Sequence, residues 1–415
     1  MLYRRSLAAE RFKAACWVAR RARETLEMHI GLDGLPLTAA KTGVGHYTYE
    51  LARALASTVP SSRFEIVYPS TYAAIDKPNS ALLPPNLILN RVMVGPLGRH
   101  WWSAGLPRYI RRSKLELFHG TNYDVPLWRR CATVLTIHDL SQLLHSETHE
   151  KRSVSRAQRR LPLMSRTADA IITPTESVRV DVCEFLKASP DKVFAIPEAA
   201  RACFKPLAFA ETASVRRRLG IGDDFLLSVG TLEPRKNLSV LISALADLAR
   251  ERPESNTQLV IAGGRGWLSN PLFEAIEKSP VRDRIVLTDY LNDDDLQTLY
   301  SSCRAFVYPS IHEGFGLPPL EAMACGAPVI ASRIPALEET TGAAALLFDP
   351  KSVSDLTRNI LELLENENAR RELAAAGQRR AAEFSWEKTA RLTWNVYEEA
   401  VRRFDKERAG ASPPS

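Results

Sequence analysis

The sequence contains no run of eighteen apolar residues. Its apolar stretches are short and interrupted, as at Ile171–Ile172 and Ala322–Ala324, so no membrane-spanning helix is predicted. It has no C-x-x-C pair. The six cysteines, Cys16, Cys131, Cys183, Cys203, Cys303 and Cys325, lie far apart, which excludes a zinc-ribbon spacing and fits reduced thiols in a cytoplasmic setting. No complete G-x-G-x-x-G follows the first strand of either half, which argues against a dinucleotide-dependent oxidoreductase. RNP-like aromatics are missing too, so no nucleic-acid partner is expected. Residues 1–27 lack both an unbroken seven-residue apolar core and a small-residue cleavage site, and do not read as a signal peptide.

What is present is globular: 45% hydrophobic and 25% charged residues in a 415-residue chain, long enough for two to three domains. The net charge of +7 is local. Residues 1–27 carry seven basic and three acidic side chains and read as a basic extension dispensable for folding and activity. Between Arg99 and Arg166 stand thirteen basic residues against five acidic ones, and the rest of the chain is net negative. Such a patch suits a phosphorylated substrate, anionic lipid or simply solvent. Within it, RHWWSAGLPRYIRRSK interleaves Trp101, Trp102 and Tyr109 with Arg99, Arg108, Arg111, Arg112 and Lys114. Interfacial aromatics among cations predict peripheral docking on an anionic membrane, at its inner face; the competing reading buries the tryptophans and leaves the arginines to solvate a helix.

From Met28 onward, apolar runs of strand length alternate with helical periodicity. In the first half they are Ile30–Asp33, Phe64–Tyr68, Leu87–Val94, Leu115–Phe118, Val134–His138, Ala170–Thr173 and Val193–Ile196, with a helix over Tyr47–Ser57. The pattern restarts with Phe225–Val229, Leu259–Ala262, Ile285–Leu287, Ala305–Tyr308, Val329–Ala331 and Leu346–Phe348. Continuous apolar strands separated by helices mean parallel sheets covered on both faces. The chain is therefore predicted to be α/β: two Rossmann-like doubly wound domains, residues 28–200 and 223–385, facing a cleft. Residues 201–222 form the linker, a helix over 386–405 crosses back to the first domain, and the tail 406–415 is disordered.

The chemistry sits on turns that follow strands. After Ala305–Tyr308 comes PSIHEGFGLPPLEAMACG, in which Pro318 and Pro319 suit a helix start and Gly326 a C-cap, predicting a helix over 318–325. Gly314 and Gly316 bare backbone amides before that helix, as phosphate sites do. Carboxylates repel phosphate, so Glu313 and Glu321 beside it point to hydroxyl partners such as those of a ribose and a sugar. In VGTLEPRKNL, Arg235 and Lys236 fall at a helix start, where a cation is unfavourable by roughly 0.3–1 kcal/mol unless an anion, here a diphosphate, supplies the reason. Gly43 and Gly45 lie between a strand and a helix in the first half, in the matching place. His138 and Asp139 end a buried strand at the ligand edge. They are either a general base pair or a neutral histidine donating one hydrogen bond to substrate. The run Asp293–Asp295 looks like a metal-holding D-x-D, but Asn292 or Asp293 makes a good N-cap with acids in the first turn, and the cap reading is preferred.

Together, the G-V-G turn, TIHDL, VGTLEPRKNL, EGFGLPPLEAMACGAPVIAS, ALLFDP and FSWEKTA resemble family-4 retaining glycosyltransferases of the GT-B fold over about Met28 to Val401, in wording nearest the mannosyltransferase-B-like branch. The resemblance implies transfer of a sugar, mannose from GDP-mannose favoured, from a nucleotide sugar to a glycan or lipid-linked acceptor of bacterial surface polysaccharide, with no metal and no other cofactor. It implies that Glu321 binds the ribose and Glu313 the donor sugar, and that the amides of Gly314, Phe315 and Gly316, with Leu317, meet phosphate and sugar. Lys236 with Arg235 neutralises the diphosphate, and His138 contacts the donor sugar from the other domain. Gly43, Gly45 and Thr231 complete the donor-binding set. Members commonly carry arginine directly after the glycine of the second motif; here Gly230 is followed by Thr231, and Arg235 stands in. A sugar phosphorylase or synthase-like enzyme shares this architecture, and a pyridoxal phosphate requirement marks the phosphorylase.

Overall fold

The computed structural model describes residues 27–39, 43–75, 83–95 and 100–410. The expectations for residues 1–26, for Arg99 and for the last five residues lie outside them. In the first half, β1 (His29–Asp33), β2 (Arg63–Pro69), β3 (Leu87–Val92), β4 (Leu117–Gly120), β5 (Ala132–Thr136), β6 (Ala170–Thr173) and β7 (Val193–Ala195) form one sheet in the order β3-β2-β1-β4-β5-β6-β7. In the second, β8 (Phe225–Val229), β9 (Gln258–Ala262), β10 (Ile285–Leu287), β11 (Ala305–Tyr308), β12 (Val329–Ser332) and β13 (Leu346–Phe348) follow the order β10-β9-β8-β11-β12-β13. Every pairing is parallel. Each strand order reverses once, between β1 and β4 and between β8 and β11, and it is outside the carboxyl ends of such strands that doubly wound sheets open a crevice.

The helices that bear on function are α1 (Gly43–Thr58), α2 (Lys151–Thr167), α3 (Leu238–Glu251), α4 (Asp293–Ser302), α5 (Leu317–Ala324) and α6 (Trp386–Gly410). α1 lays Leu51, Leu55 and Tyr47 on the first sheet beside Ile30, Leu32 and Phe64. α6 returns from the second half and puts Trp386, Trp394 and Tyr397 into that same core. The second half has two cores, one on each face of its sheet.

Several boundaries differ from the sequence reading. α1 starts at Gly43, so Gly43 and Gly45 lie in its first turn rather than in a loop before it. α5 spans Leu317–Ala324, one residue earlier than predicted, because Gly316 at φ +98° takes the N-cap. Val134–His138 ends early: β5 stops at Thr136, and His138 stands on the turn beyond. The linker is free of strand, as expected, but folds into a 3-10 turn at Phe209–Thr212 and a helix at Ala213–Arg218. The tail predicted as disordered from residue 406 continues α6 through Gly410.

The aromatic and basic segment is also corrected. Trp101 is 4% exposed and packs with Leu106, Ile110, Leu115 and Phe118. Trp102 stands edge-on to Phe118 at 6.3 Å, and the Tyr109 hydroxyl bonds both Asn90 and the Glu65 carboxylate. The helical period sends the apolar side chains inward and leaves Arg108, Arg111 and Arg112 in solvent. Trp101 is core, and Trp102 and Tyr109 are partly buried against the same cluster. Among the described residues no helix is long and apolar enough to cross a membrane, and the five described cysteines are unpaired.

Candidate active site

The loops after β8 and β11 lie side by side because those strands are neighbours, and together they assemble a buried charge cluster. Lys236 Nζ donates to Glu313 Oε1 at 2.6 Å and to the Tyr308 hydroxyl at 2.7 Å. Arg235 reaches Glu313 Oε2 at 3.0 Å, Glu233 Oε1 at 2.6 Å and the His312 carbonyl at 2.7 Å. Burial alone would push the Glu313 carboxyl up, but Arg235 and Lys236 together hold it far below the usual glutamate range, so it is ionised. Burial, with Arg235 alongside, draws Lys236 below the ordinary ammonium range despite Glu313. Glu233 is raised by burial against the pull of Arg235, and its Oε2 has no hydrogen-bond partner.

The two cations stand just ahead of a helix, at its start as the sequence reading had it. They occupy a 3-10 turn, Pro234–Lys236, and the left-handed Asn237 at φ 53° separates them from α3. Glu233 and Glu313 compensate their charge.

The loop between β11 and α5 crosses the cleft. A Cβ on Gly314 would lie 1.8 Å from the His138 carbonyl oxygen, so only glycine admits this contact between the halves. Thr175 of the first half donates its hydroxyl to the Gly314 carbonyl at 2.9 Å, and Thr340 donates to that of Phe315. Phe315 is buried against Phe384. Gly316, in left-handed backbone, turns the chain into α5, and a Cβ there would strike Leu337 at 2.5 Å.

Glu321, on the second turn of α5, has the opposite electrostatics. Its Oε1 accepts from Arg201 Nε at 2.9 Å and its Oε2 lies 3.4 Å from the Tyr300 hydroxyl. Burial raises its carboxyl, and Arg201 offsets this only in part because Asp293 shares the same guanidinium. Arg201 comes from the segment between the sheets and also meets His46 Nδ1 of α1 at 3.2 Å. Glu321, Arg201, Asp293 and His46 line a cavity of about 170 Å³ together with Gly43, Thr231, Gly263 and Leu317. Gly45 is buried in α1 and does not reach its wall.

His138 contributes its carbonyl to the loop contact, while its ring faces the first half. Nε2 lies 2.9 Å from the Thr121 carbonyl, so it carries the proton and donates, and Nδ1 lies 3.4 Å from Glu198 Oε1. Tyr47 and Tyr123 pack edge-on to the ring. Asp139, which sequence alone coupled to His138, instead accepts from the Ser141 amide at 2.8 Å. Burial pushes the Asp139 carboxyl up, but Arg235, His312 and the hydrogen bonds from Ser141 together keep it low. Asp139 and Arg235 line a second cavity, about 340 Å³, closed by Trp267 stacked on His149.

Sequence reasoning missed Glu198, Arg201, Glu233 and Tyr308. Glu233 had a readable signal, an acid directly before Pro-Arg-Lys. Arg201 and Glu198 had none, being single charges in a segment without periodicity. The three acids of LNDDDL part company: Asp293 pairs with Arg201, Asp294 is exposed, and Asp295 pairs with Arg218. Asn292 caps α4, its side chain accepting from the Asp295 amide at 2.9 Å, as expected of a helix start. Among the described residues no group of three or more His, Cys, Asp or Glu side chains is arranged to hold a metal ion.

Residues 212–380 match the family model "Glycosyl transferases group 1", and residues 41–200 match "Glycosyltransferase Family 4". The O-antigen chain mannosyltransferase B of Escherichia coli is 30% identical over 372 residues, covering 87% of this chain and 97% of the relative. The serotype-specific mannosyltransferase WbdA of Escherichia coli is 29% identical over 88% of this chain, which spans 47% of that longer protein. The sucrose-phosphate synthase of Thermosynechococcus elongatus superposes with a TM-score of 0.72 at 22% identity, covering 90% of this chain and 99% of that one, and so shares its fold.

Proposed function

Since the chain belongs to the family-4 glycosyltransferases and is a hexosyltransferase of GT-B architecture, we propose that it moves mannose from GDP-mannose to a glycan or lipid-linked acceptor, with retention of configuration and without a metal ion. The observation that carries this reading is the pairing of Lys236 and Arg235 with an ionised Glu313 directly beneath the glycine loop. A nucleoside diphosphate leaves with charge growing on its oxygens, and fixed cations beside bare loop amides are aimed at that charge before it forms. The arriving diphosphate competes with Glu313 for Lys236, which releases the carboxylate to accept from a hydroxyl of the donor sugar. Glu321, on the other side of the loop, accepts from the ribose.

The acceptor enters from the cavity lined by Asp139 and Trp267. Its hydroxyl attacks on the face from which the diphosphate departs, handing its proton to a phosphate oxygen. With the first half pressed on Gly314, water is excluded and the donor is protected from hydrolysis. His138 acts on the donor sugar by a ring nitrogen only after exchanging the Thr121 or Glu198 contact; otherwise its role is the carbonyl that meets the loop. For the membrane, support shifts from Trp101, which is buried, and Trp102, which is partly so, to α2, whose Lys151, Arg152, Arg156 and Arg159 are exposed, with Trp128 exposed as well. Such cations attract anionic lipid by about 1 kcal/mol each.

Thermal unfolding with a panel of nucleotide sugars, followed by transfer assays on the one that stabilises most, tests the reading, since bound ligand raises stability as RT ln(1 + [L]/Kd). GDP-mannose is expected to stabilise most. Stabilisation by none of the panel would sink the donor assignment. Sedimentation with anionic and neutral vesicles at two salt concentrations tests the membrane contact, and equal absence from both would remove it.

A further inference from the structure

Within the cavity that holds Glu321, one buried guanidinium divides two carboxylates. Arg201 is 6% exposed; its Nε is bonded to Glu321 Oε1 at 2.9 Å, its Nη1 to Asp293 Oδ1 at 2.6 Å, and it lies 4.5 Å from the centre of the Phe204 ring. The Asp293 side chain is 47% exposed and forms the cavity wall with Gly263, Tyr290 and Leu291. We propose that Asp293 selects the base of the donor by reading guanine, and that Arg201 is the positioning residue that fixes it for that task. The inference rests on the nucleotide-sugar reading above and deepens it.

The selectivity follows from what a carboxylate accepts. Guanine offers two donors side by side on its pairing edge, N1–H and the N2 amine. Adenine puts a lone pair at N1 beside its amine, and uracil flanks a single N3–H with two carbonyl oxygens. A carboxylate is bonded twice by guanine and repelled by part of the edge of each of the others. The position follows from the shared guanidinium: a ribose held at Glu321 brings its base to the part of the cavity that Asp293 borders.

Arg201 makes the arrangement selective rather than merely acidic. It takes one lone pair of Asp293 Oδ1 and one of Glu321 Oε1, and so leaves Oδ2 and the second lone pair of Oδ1 for the two donors of the base, while Glu321 Oε2, 3.4 Å from the Tyr300 hydroxyl, keeps a further lone pair for the ribose. It also balances negative charge in a cavity that must admit a diphosphate. A lysine has no such planar fork with which to hold both acids at once.

The test is a set of dissociation constants for GDP, UDP and ADP, measured calorimetrically on the full chain and its variants. In the unmodified protein GDP binds tighter than UDP or ADP by roughly 10-fold or more, the discrimination of one good edge contact. Asp293→Asn and Asp293→Ala bring GDP to within about threefold of UDP and leave UDP itself little changed, because UDP gains nothing from the carboxylate. Arg201→Lys lowers the same GDP-to-UDP ratio; a purely structural role for Arg201 would shift all three constants together and leave the ratio intact. Melting temperatures of the variants confirm that they are folded. A wild-type GDP-to-UDP ratio preserved in both Asp293 variants overturns the inference while the donor reading stands. A preference for UDP or ADP overturns the inference and GDP-mannose but leaves a nucleotide-sugar enzyme. Failure of all three to bind overturns both readings.

Discussion

Glu313 and Glu321 stand on either side of one glycine loop, both buried, and their surroundings drive them in opposite directions. Around Glu313 two cations face one strongly ionised carboxylate, with Glu233 behind. Around Glu321 one cation is divided between two carboxylates. The first arrangement holds its acid ionised, and in the proposed function its positive charge meets an incoming phosphate; the second holds an acid that burial raises, which the proposed function assigns to a hydroxyl donor. A sequence motif of two glutamates thus conceals two opposite electrostatic environments.

The comparison breaks first at Lys236. Lys236→Ala is expected to slow transfer by roughly 10²–10³, the usual loss for one preorganised charge stabiliser, with a small change in nucleotide affinity. Glu321→Ala should do the reverse, weakening nucleotide binding by about 10-fold with the smaller effect on the bound-state rate. If single-turnover rates and Kd values showed the two variants alike, the division of labour would be lost.

Stability gives the next largest contrast. Glu313→Gln takes the ion-pair partner from buried Lys236 and one of two from Arg235, which keeps Glu233, and should cost about 3–5 kcal/mol in urea unfolding. Glu321→Gln replaces an acid whose ionised form the fold resists, and Arg201 keeps Asp293, so less than half that loss is expected. Equal losses would mean that the two environments are equivalent.

Acid titration sharpens the same point. The depressed Glu313 contributes stability that is fully present above the usual glutamate pKa and is lost only as pH falls through its low folded value. The raised Glu321 takes up its proton in the folded chain before the unfolded one does, so it adds stability as pH falls from neutrality toward the usual glutamate range. Comparing Glu321→Gln with the unmodified chain across that interval isolates the effect: the variant should lack the gain. A parallel pH dependence in the two proteins would contradict it.

The smallest effects belong to the acids of α4 that face away from the site. Asp294→Asn should change stability by less than about 0.5 kcal/mol, as an exposed first-turn acid does, and leave transfer untouched. Chelation with EDTA should likewise leave the rate unchanged. Loss that manganese restores would assign the acidic run to metal after all.

Much of this architecture was legible because the strands are buried on both faces and therefore written as unbroken apolar runs; Ala170–Thr173, Phe225–Val229 and Ala305–Tyr308 agree with the sequence reading residue for residue. The glycine loop was legible for a local reason, two prolines and a glycine marking the start of α5. Arg201 was not, since its meaning arises only when the segment between the sheets is laid across α4 and α5. Trp101 was misread because aromatic and basic residues at helical spacing describe a core-facing helix and a membrane-facing one equally well, and only the neighbouring Phe118 and Leu115 decide between them.

The return of α6 into the first half bears on the order in which the chain acquires its structure. Trp386, Trp394 and Tyr397 fill the face of the first sheet beside α1, and the Tyr397 hydroxyl reaches the buried His119 of β4 at 2.7 Å. Chains emerge from the ribosome amino end first, and domains usually complete themselves in that order. Here the first sheet waits with an apolar face uncovered until the last helix has been synthesised, so the second half finishes before the first. The earliest part of the protein to be made is the last to be sealed, and a chain cut short before residue 386 releases an open first half beside a complete second one.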